Sequence, residues 1–128
     1  MRTRIIRGFA WLDLAITAPF VVPYLAEALI SLIYRIDAAL GYDTPLLEFG
    51  ALQMMFVNIM GVLGVIWALV RLRDPNEELA RIDALGRLIV AALIIHAITW
   101  GATPLLWAFV ATELLGSLAQ LRRRTTAQ

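Results

Sequence analysis

Apolar residues fill this chain in four long blocks, separated by short polar stretches. A helix that crosses a membrane needs about 20 mostly apolar residues. Residues 8–30, 45–70, 82–100 and 104–121 meet that length. The polar positions inside these blocks are not scattered. In the first, Asp13, Thr17, Phe20, Tyr24, Glu27 and Ser31 recur at intervals of four and three, which is one face of a helix. Ala51, Met54, Asn58, Gly61 and Val65 share a face of the second, and Ala92, His96, Thr99 and Trp100 a face of the third. Phe109, Glu113, Gly116, Ser117 and Gln120 share a face of the fourth. Each helix thus carries one stripe that is polar, small or aromatic, and four such stripes can converge. The pattern predicts an all-α, polytopic membrane protein: residues 1–128 as a single transmembrane domain, a four-helix bundle.

Local signals refine the boundaries. Thr44-Pro45, Asp74-Pro75 and Thr103-Pro104 each place a capping side chain before a proline, the combination expected where a helix begins. Glu77 completes a capping box with Asp74. Pro19 and Pro23 each remove a backbone hydrogen bond, so the first helix is expected to kink between Asp13 and Glu27. Residues 31–41 carry an apolar face of Leu32, Ile33, Ile36 and Leu40. They suit a short helix on the outer membrane surface or an extension of the first span. Gly61, Gly64 and Gly116 mark close helix contacts.

Composition agrees with the pattern. Hydrophobic residues make up 61% and charged ones 16%, against about 45–50% and 25% in a soluble domain. The start, "MRTRIIRGFAWLDLAITAPFVVP", resembles a signal peptide, but Asp13 interrupts its apolar stretch, and it reads as a retained span. All 11 basic residues are arginine. They cluster before the first span, between the second and third, and after the fourth, while the other two connections hold only Arg35. Under the positive-inside rule both termini and the central connection are cytoplasmic. The expected location is a bacterial inner membrane.

Candidate chemistry is narrow. There is no cysteine, so disulfides and thiolate metal sites are excluded. No phosphate loop, zinc motif or serine triad is present, and one histidine cannot build a bis-histidine haem in a single chain. No metal, no nucleic-acid partner and no nameable cofactor is expected. What stands out is "LIIHAITWGATPLLWAFVATELLG", which carries His96 and Glu113 in an otherwise apolar run. Ionisable groups in hydrocarbon are costly and mark candidate sites. Glu113 and His96 are the candidate catalytic pair, and Asp13, Thr17, Tyr24, Asn58 and Trp100 the candidate ligand-binding residues. Asp13 has Arg7 or a terminal arginine as its expected partner. No arginine falls at the depth of Glu113, so its carboxyl is expected to be neutral unless His96 compensates it.

The stretch "FVNIMGVLGVIWALVRLRDPNEELARIDALGRL…GATPLLWAF" resembles small bacterial DoxX-like membrane proteins. The resemblance covers roughly Phe56 to Glu113 and lies in texture, without a diagnostic motif. That family is similar in architecture to the emopamil-binding and sigma-2-receptor superfamily. The resemblance implies a four-helix bundle around a polar-lined pocket, with acidic residues and histidine moving protons on lipophilic substrates. The expectation is therefore a membrane protein with an intramembrane polar pocket for a small lipophilic molecule, with isomerase-like acid–base chemistry. Two alternatives remain: an accessory subunit of a membrane redox complex, and a small dimeric proton-coupled exporter with Glu113 as coupling carboxylate. The bilayer, a lipophilic ligand, and a homodimer or larger membrane complex are the expected partners.

Overall fold

A computed structural model describes residues 2–46 and 48–121. Among them all regular structure is helical: α1 (Arg2–Thr17), a 3-10 turn (Ala18–Val21), α2 (Pro23–Ala39), α3 (Ala51–Arg73), α4 (Glu77–Thr99), a 3-10 turn (Pro104–Leu106) and α5 (Trp107–Leu121). Three helices are long and apolar enough to cross a membrane, α3, α4 and the Pro104–Leu121 segment, and the bent Arg2–Ala39 segment makes a fourth if it counts as one span.

Burial is inverted relative to a water-soluble bundle. Ala10, Ala26, Ala68, Ala80, Ala84 and Ala91 are buried together with Asp37, Arg71, Asp83, Arg87 and Gln120. Large apolar side chains, such as Leu52, Leu63, Ile89 and Leu93, lie outside. Small residues let helices approach closely, and polar groups find partners inside while leucine and isoleucine face hydrocarbon. Ser117 Oγ donates to the Ala84 carbonyl at 2.9 Å, a measure of how closely α4 and α5 pack.

The first segment differs from the kinked rod its prolines predict. The axes before and after Val22 differ by 110°. Val22 is extended (φ −99°, ψ 121°), because Pro23 disfavours helical backbone in the residue before it. The break leaves the Phe20 carbonyl without a helical partner, and Asn58 Nδ2 on α3 donates to it at 2.8 Å. Gly61 lets the two backbones meet, since a Cβ there would sit 2.7 Å from Phe20 C and 2.8 Å from Val21 N. Gly64 faces the side chain of Thr17, whose Cβ would lie 2.8 Å from a Cβ there. α1 thus packs antiparallel on α3.

Two of the expected helix starts are displaced. After α2, which runs through the expected surface-helix region to Ala39, α3 begins only at Ala51. Thr44 caps nothing. Its N–H and Oγ1 donate instead to the carboxylate of Asp37, at 2.8 and 2.7 Å. At α4 the cap is Asn76, whose side chain accepts from Leu79 N, while Asp74 accepts from Asn76 Nδ2. Asn76 is the first residue past Pro75 able to take extended backbone and offer an oxygen. Thr103 caps as expected, accepting from Leu105 N, and its hydroxyl also donates to Asp37. This last bond ties the end of α2 to the connection that follows α4.

Candidate functional site

The interior of the bundle is built from charge. Trp67 and Arg71 sit one turn apart on α3, and Asp83 and Arg87 one turn apart on α4. Spacing of four puts each pair on one helix face. α1 contributes Asp13, and α5 contributes Glu113, Gly116 and Gln120 from one face. Helix packing points these faces at each other.

Asp83 is the most heavily satisfied member. Its Oδ2 accepts from Arg71 Nη1 at 2.9 Å, Arg87 Nε at 2.7 Å and Gln120 Nε2 at 2.6 Å. Its Oδ1 accepts from Trp67 Nε1 at 2.7 Å. Asp13 Oδ2 accepts from both Arg71 Nη2 and Arg87 Nη2. Glu113 Oε2 accepts from Arg87 Nη1 at 3.1 Å. The Arg87 guanidinium also lies 5.3 Å from the Phe9 ring centre, and that of Arg71 lies 5.6 Å from Trp67. Gly116 makes room for Arg87: a Cβ there would meet its side chain at 3.0 Å. Arg71 is fully enclosed and Arg87 is 5% exposed. Charges so placed are held by one another, each guanidinium by at least two carboxyls, and breaking such a buried network is costly.

The sequence-derived site is therefore divided. Asp13 and Glu113 do meet, through Arg87 and not through His96. His96 lies on the exposed outer face of α4, with its ring 5.2 Å from that of Trp100. His96 and Glu113 do not share a cavity. Trp100 and Tyr24 are 83% and 85% exposed, on the outside of the molecule. Thr17 turns its hydroxyl back to the Asp13 carbonyl. The expectation that no arginine reaches Glu113 is overturned by Arg87, whose long side chain runs inward to it. Asp13, expected to pair with Arg7 or a terminal arginine, pairs with Arg71 and Arg87. Positive-inside counting treats arginines as markers of topology, and so it set Arg71 and Arg87 aside. The available signal was that Ala80, Asp83, Ala84, Arg87 and Ala91 form one small-or-charged stripe on a helix that is otherwise apolar.

A second feature lies at the helix break. An open groove of about 510 Å³ runs between the start of α2 and α3, lined by Pro23, Met54, Met55, Asn58, Ile59 and Val62 among others. Asn58 is the polar side chain in it. A smaller, more polar recess of about 440 Å³ adjoins it through Met54 and is bordered by Glu27, Ser31 and Glu48. Neither Glu113 nor His96 lines either space. Among the described residues no cluster of histidine and carboxylate side chains is arranged to hold a metal ion. In comparisons with known proteins, no family model, no curated protein and no solved structure matches this chain.

Proposed function

We propose that this chain is a multi-pass membrane protein, four spans with both termini in the cytoplasm of a bacterial cell, that takes a small lipophilic molecule from the bilayer into the groove beside Asn58. The observation that carries this reading is the groove itself. Its volume, about 510 Å³, falls within the roughly 300–1,000 Å³ typical of small-molecule sites. It is an open groove on helices whose outward side chains are apolar, and Asn58 is its one polar side chain. The break at Val22 creates it, and Asn58 and Gly61 hold that break in place. The kinship with DoxX-like proteins belongs to the same proposal, supported by the number of apolar helices and by the polar interior. Acid–base chemistry on the bound molecule is not part of it, because Glu113 and His96 lie away from the groove.

The test is photo-crosslinking of the full chain in lipid nanodiscs with a diazirine-bearing lipophilic probe. Labelling is expected to concentrate on Met54, Met55 and Val62, and Val62→Trp, which fills the groove, is expected to abolish that preference. Equal labelling of Leu85, Ile89 and Leu93 on the outer face of α4 would reduce the groove to ordinary lipid contact and overturn the proposal.

One observation favours the accessory-subunit reading. The imidazole of His96 lies on an exposed stripe of α4 with Leu85, Ile89 and Leu93, its ring 5.2 Å from that of Trp100. A polar ring on a lipid-facing stripe is better satisfied by another protein than by acyl chains. Because the chain lacks cysteine, a single Leu93→Cys variant gives a clean crosslinking probe. A specific crosslinked adduct in native membranes supports this reading, and unmodified monomer throughout speaks against it.

A further inference from the structure

The five ionisable side chains of the interior do not cancel in charge. Arg71 and Arg87 bring two positive charges, while Asp13, Asp83 and Glu113 bring three negative ones. Arg2 reaches the edge of the cluster, donating to the Gln120 carbonyl at 3.1 Å, and carries its own counter-charge in Glu77 at 3.5 Å; Arg81 also pairs with Glu77, on the exposed side. His96 contributes nothing to the cluster, since it sits on the outer face of α4. A whole negative charge left uncompensated in a low-dielectric interior is costly.

The donors single out one carboxyl. Asp83, from α4, has four donors, and Asp13, from α1, has both guanidiniums on one oxygen. Glu113, from α5, has only Arg87 Nη1 on Oε2, and its Oε1 has no partner among the described residues. The 3.1 Å bond to Arg87 is longer than the roughly 2.7–2.9 Å of a guanidinium on a charged carboxylate. Glu113 is also the most open of the five, with its side chain 22% exposed against 18% for Asp13 and 7% or less for the rest. Around it stand Arg87 and Asp83 on α4, Asp13 on α1, Arg71 on α3, and Gln120 on its own helix.

We infer that this cluster is a binding site for one proton, carried by Glu113. The proton comes from solvent and forms an O–H bond at Oε1. Oε2 becomes the carbonyl oxygen and keeps the bond from Arg87 Nη1. The cluster passes from a charge of −1 to zero, with both guanidiniums still paired to Asp13 and Asp83. This inference does not depend on what the groove between α2 and α3 holds.

Infrared spectroscopy of the full chain in lipid nanodiscs at neutral pH tests it directly. With glutamate carboxyl carbons labelled by carbon-13, the wild-type chain is expected to show one carboxylic-acid C=O band that the label shifts. The other glutamates, Glu27, Glu48, Glu77 and Glu78, are exposed, so the band is expected to vanish in Glu113→Gln. Asp13→Asn supplies a second arm. It removes one negative charge, so the intact Glu113 no longer needs the proton, and its band is expected to disappear there too. A folded wild-type chain without a labelled acid band overturns the inference without any variant. So does a band that survives Glu113→Gln, or one unchanged in Asp13→Asn.

Discussion

Arg87 bonds to three carboxyls from three helices, which makes it the hub of the interior. Asp83 answers it from the same helix face and holds Arg71, Trp67 and Gln120 as well. Asp83→Ala therefore takes one carboxylate from each of two buried guanidiniums, leaving Asp13 and Glu113 to hold them, and removes the acceptor of Trp67 Nε1. Breaking a buried charge network costs about 3–5 kcal/mol, so this variant is expected to unfold at much lower temperature in detergent, or not to accumulate. Glu113→Gln keeps an oxygen to accept from Arg87 Nη1, and a neutral replacement that preserves the hydrogen bond is expected to cost less than about 1 kcal/mol. Equal melting temperatures for Asp83→Ala and wild type would mean that the cluster does not hold the bundle. At this scale the sequence was only partly legible. Asp13 and Glu113 stood out because acids are rare in apolar runs. Arg71 and Arg87 did not, because an arginine near a helix end reads equally well as an interfacial charge, and only packing shows which way its long side chain turns.

Between elements, the decisive contact is the crossing of α3 with the break after α1. The two prolines announced a disturbance, and proline chemistry explains why Val22 leaves the helix. The size of the turn was not legible, since it depends on Asn58 and Gly61, more than thirty residues away, receiving the freed backbone. The displaced helix start at Ala51 has a similar origin: Thr44 found a stronger partner in Asp37, a tertiary contact outside its own neighbourhood, whereas at Glu77 the cap only passes to the neighbouring Asn76. The glycines offer a controlled comparison. Gly61→Ala forces a methyl against the backbone of Phe20 and Val21, and such overpacking costs about 1–3 kcal/mol. Gly86, on the exposed face of α4, has nothing within 4 Å of a Cβ. Gly86→Ala gains helix propensity of up to about 1 kcal/mol. Thermal unfolding in one detergent is expected to rank them Gly61→Ala below wild type, and Gly86→Ala equal to it or above. If Gly61→Ala melts with wild type, α1 and α3 do not meet as closely as described.

For the whole molecule, the question is whether the bent first segment carries the chain from one end of the bundle to the other. Two contacts fix its ends. Arg2 lies 3.5 Å from Glu77, at the start of α4. Asp37, at the end of α2, accepts from Thr103, just past the end of α4. α4 is 23 residues long, about 34 Å at 1.5 Å per residue, so the first segment begins near one end of that span and finishes near the other. A loop that dipped into the membrane and returned would have left Asp37 beside Glu77. On the proposed reading the 110° break bends a crossing without reversing it, and the chain then makes four passes, an even number. An even number leaves both termini and the α3–α4 connection on one side, which is where the arginine clusters fall in the sequence. From this, reporter fusions after Gln128 and within 75–78 are expected to report cytoplasm, and a fusion at Gly41 the opposite side. The Gly41 fusion carries the most weight, because arginine counting alone says little about a segment holding only Arg35. If Gly41 and Gln128 report the same side, the first segment does not cross. The Asp37–Thr103 bond could not then exist in the membrane, and the charged interior, which draws Asp13 from that same segment, would have to be assembled differently.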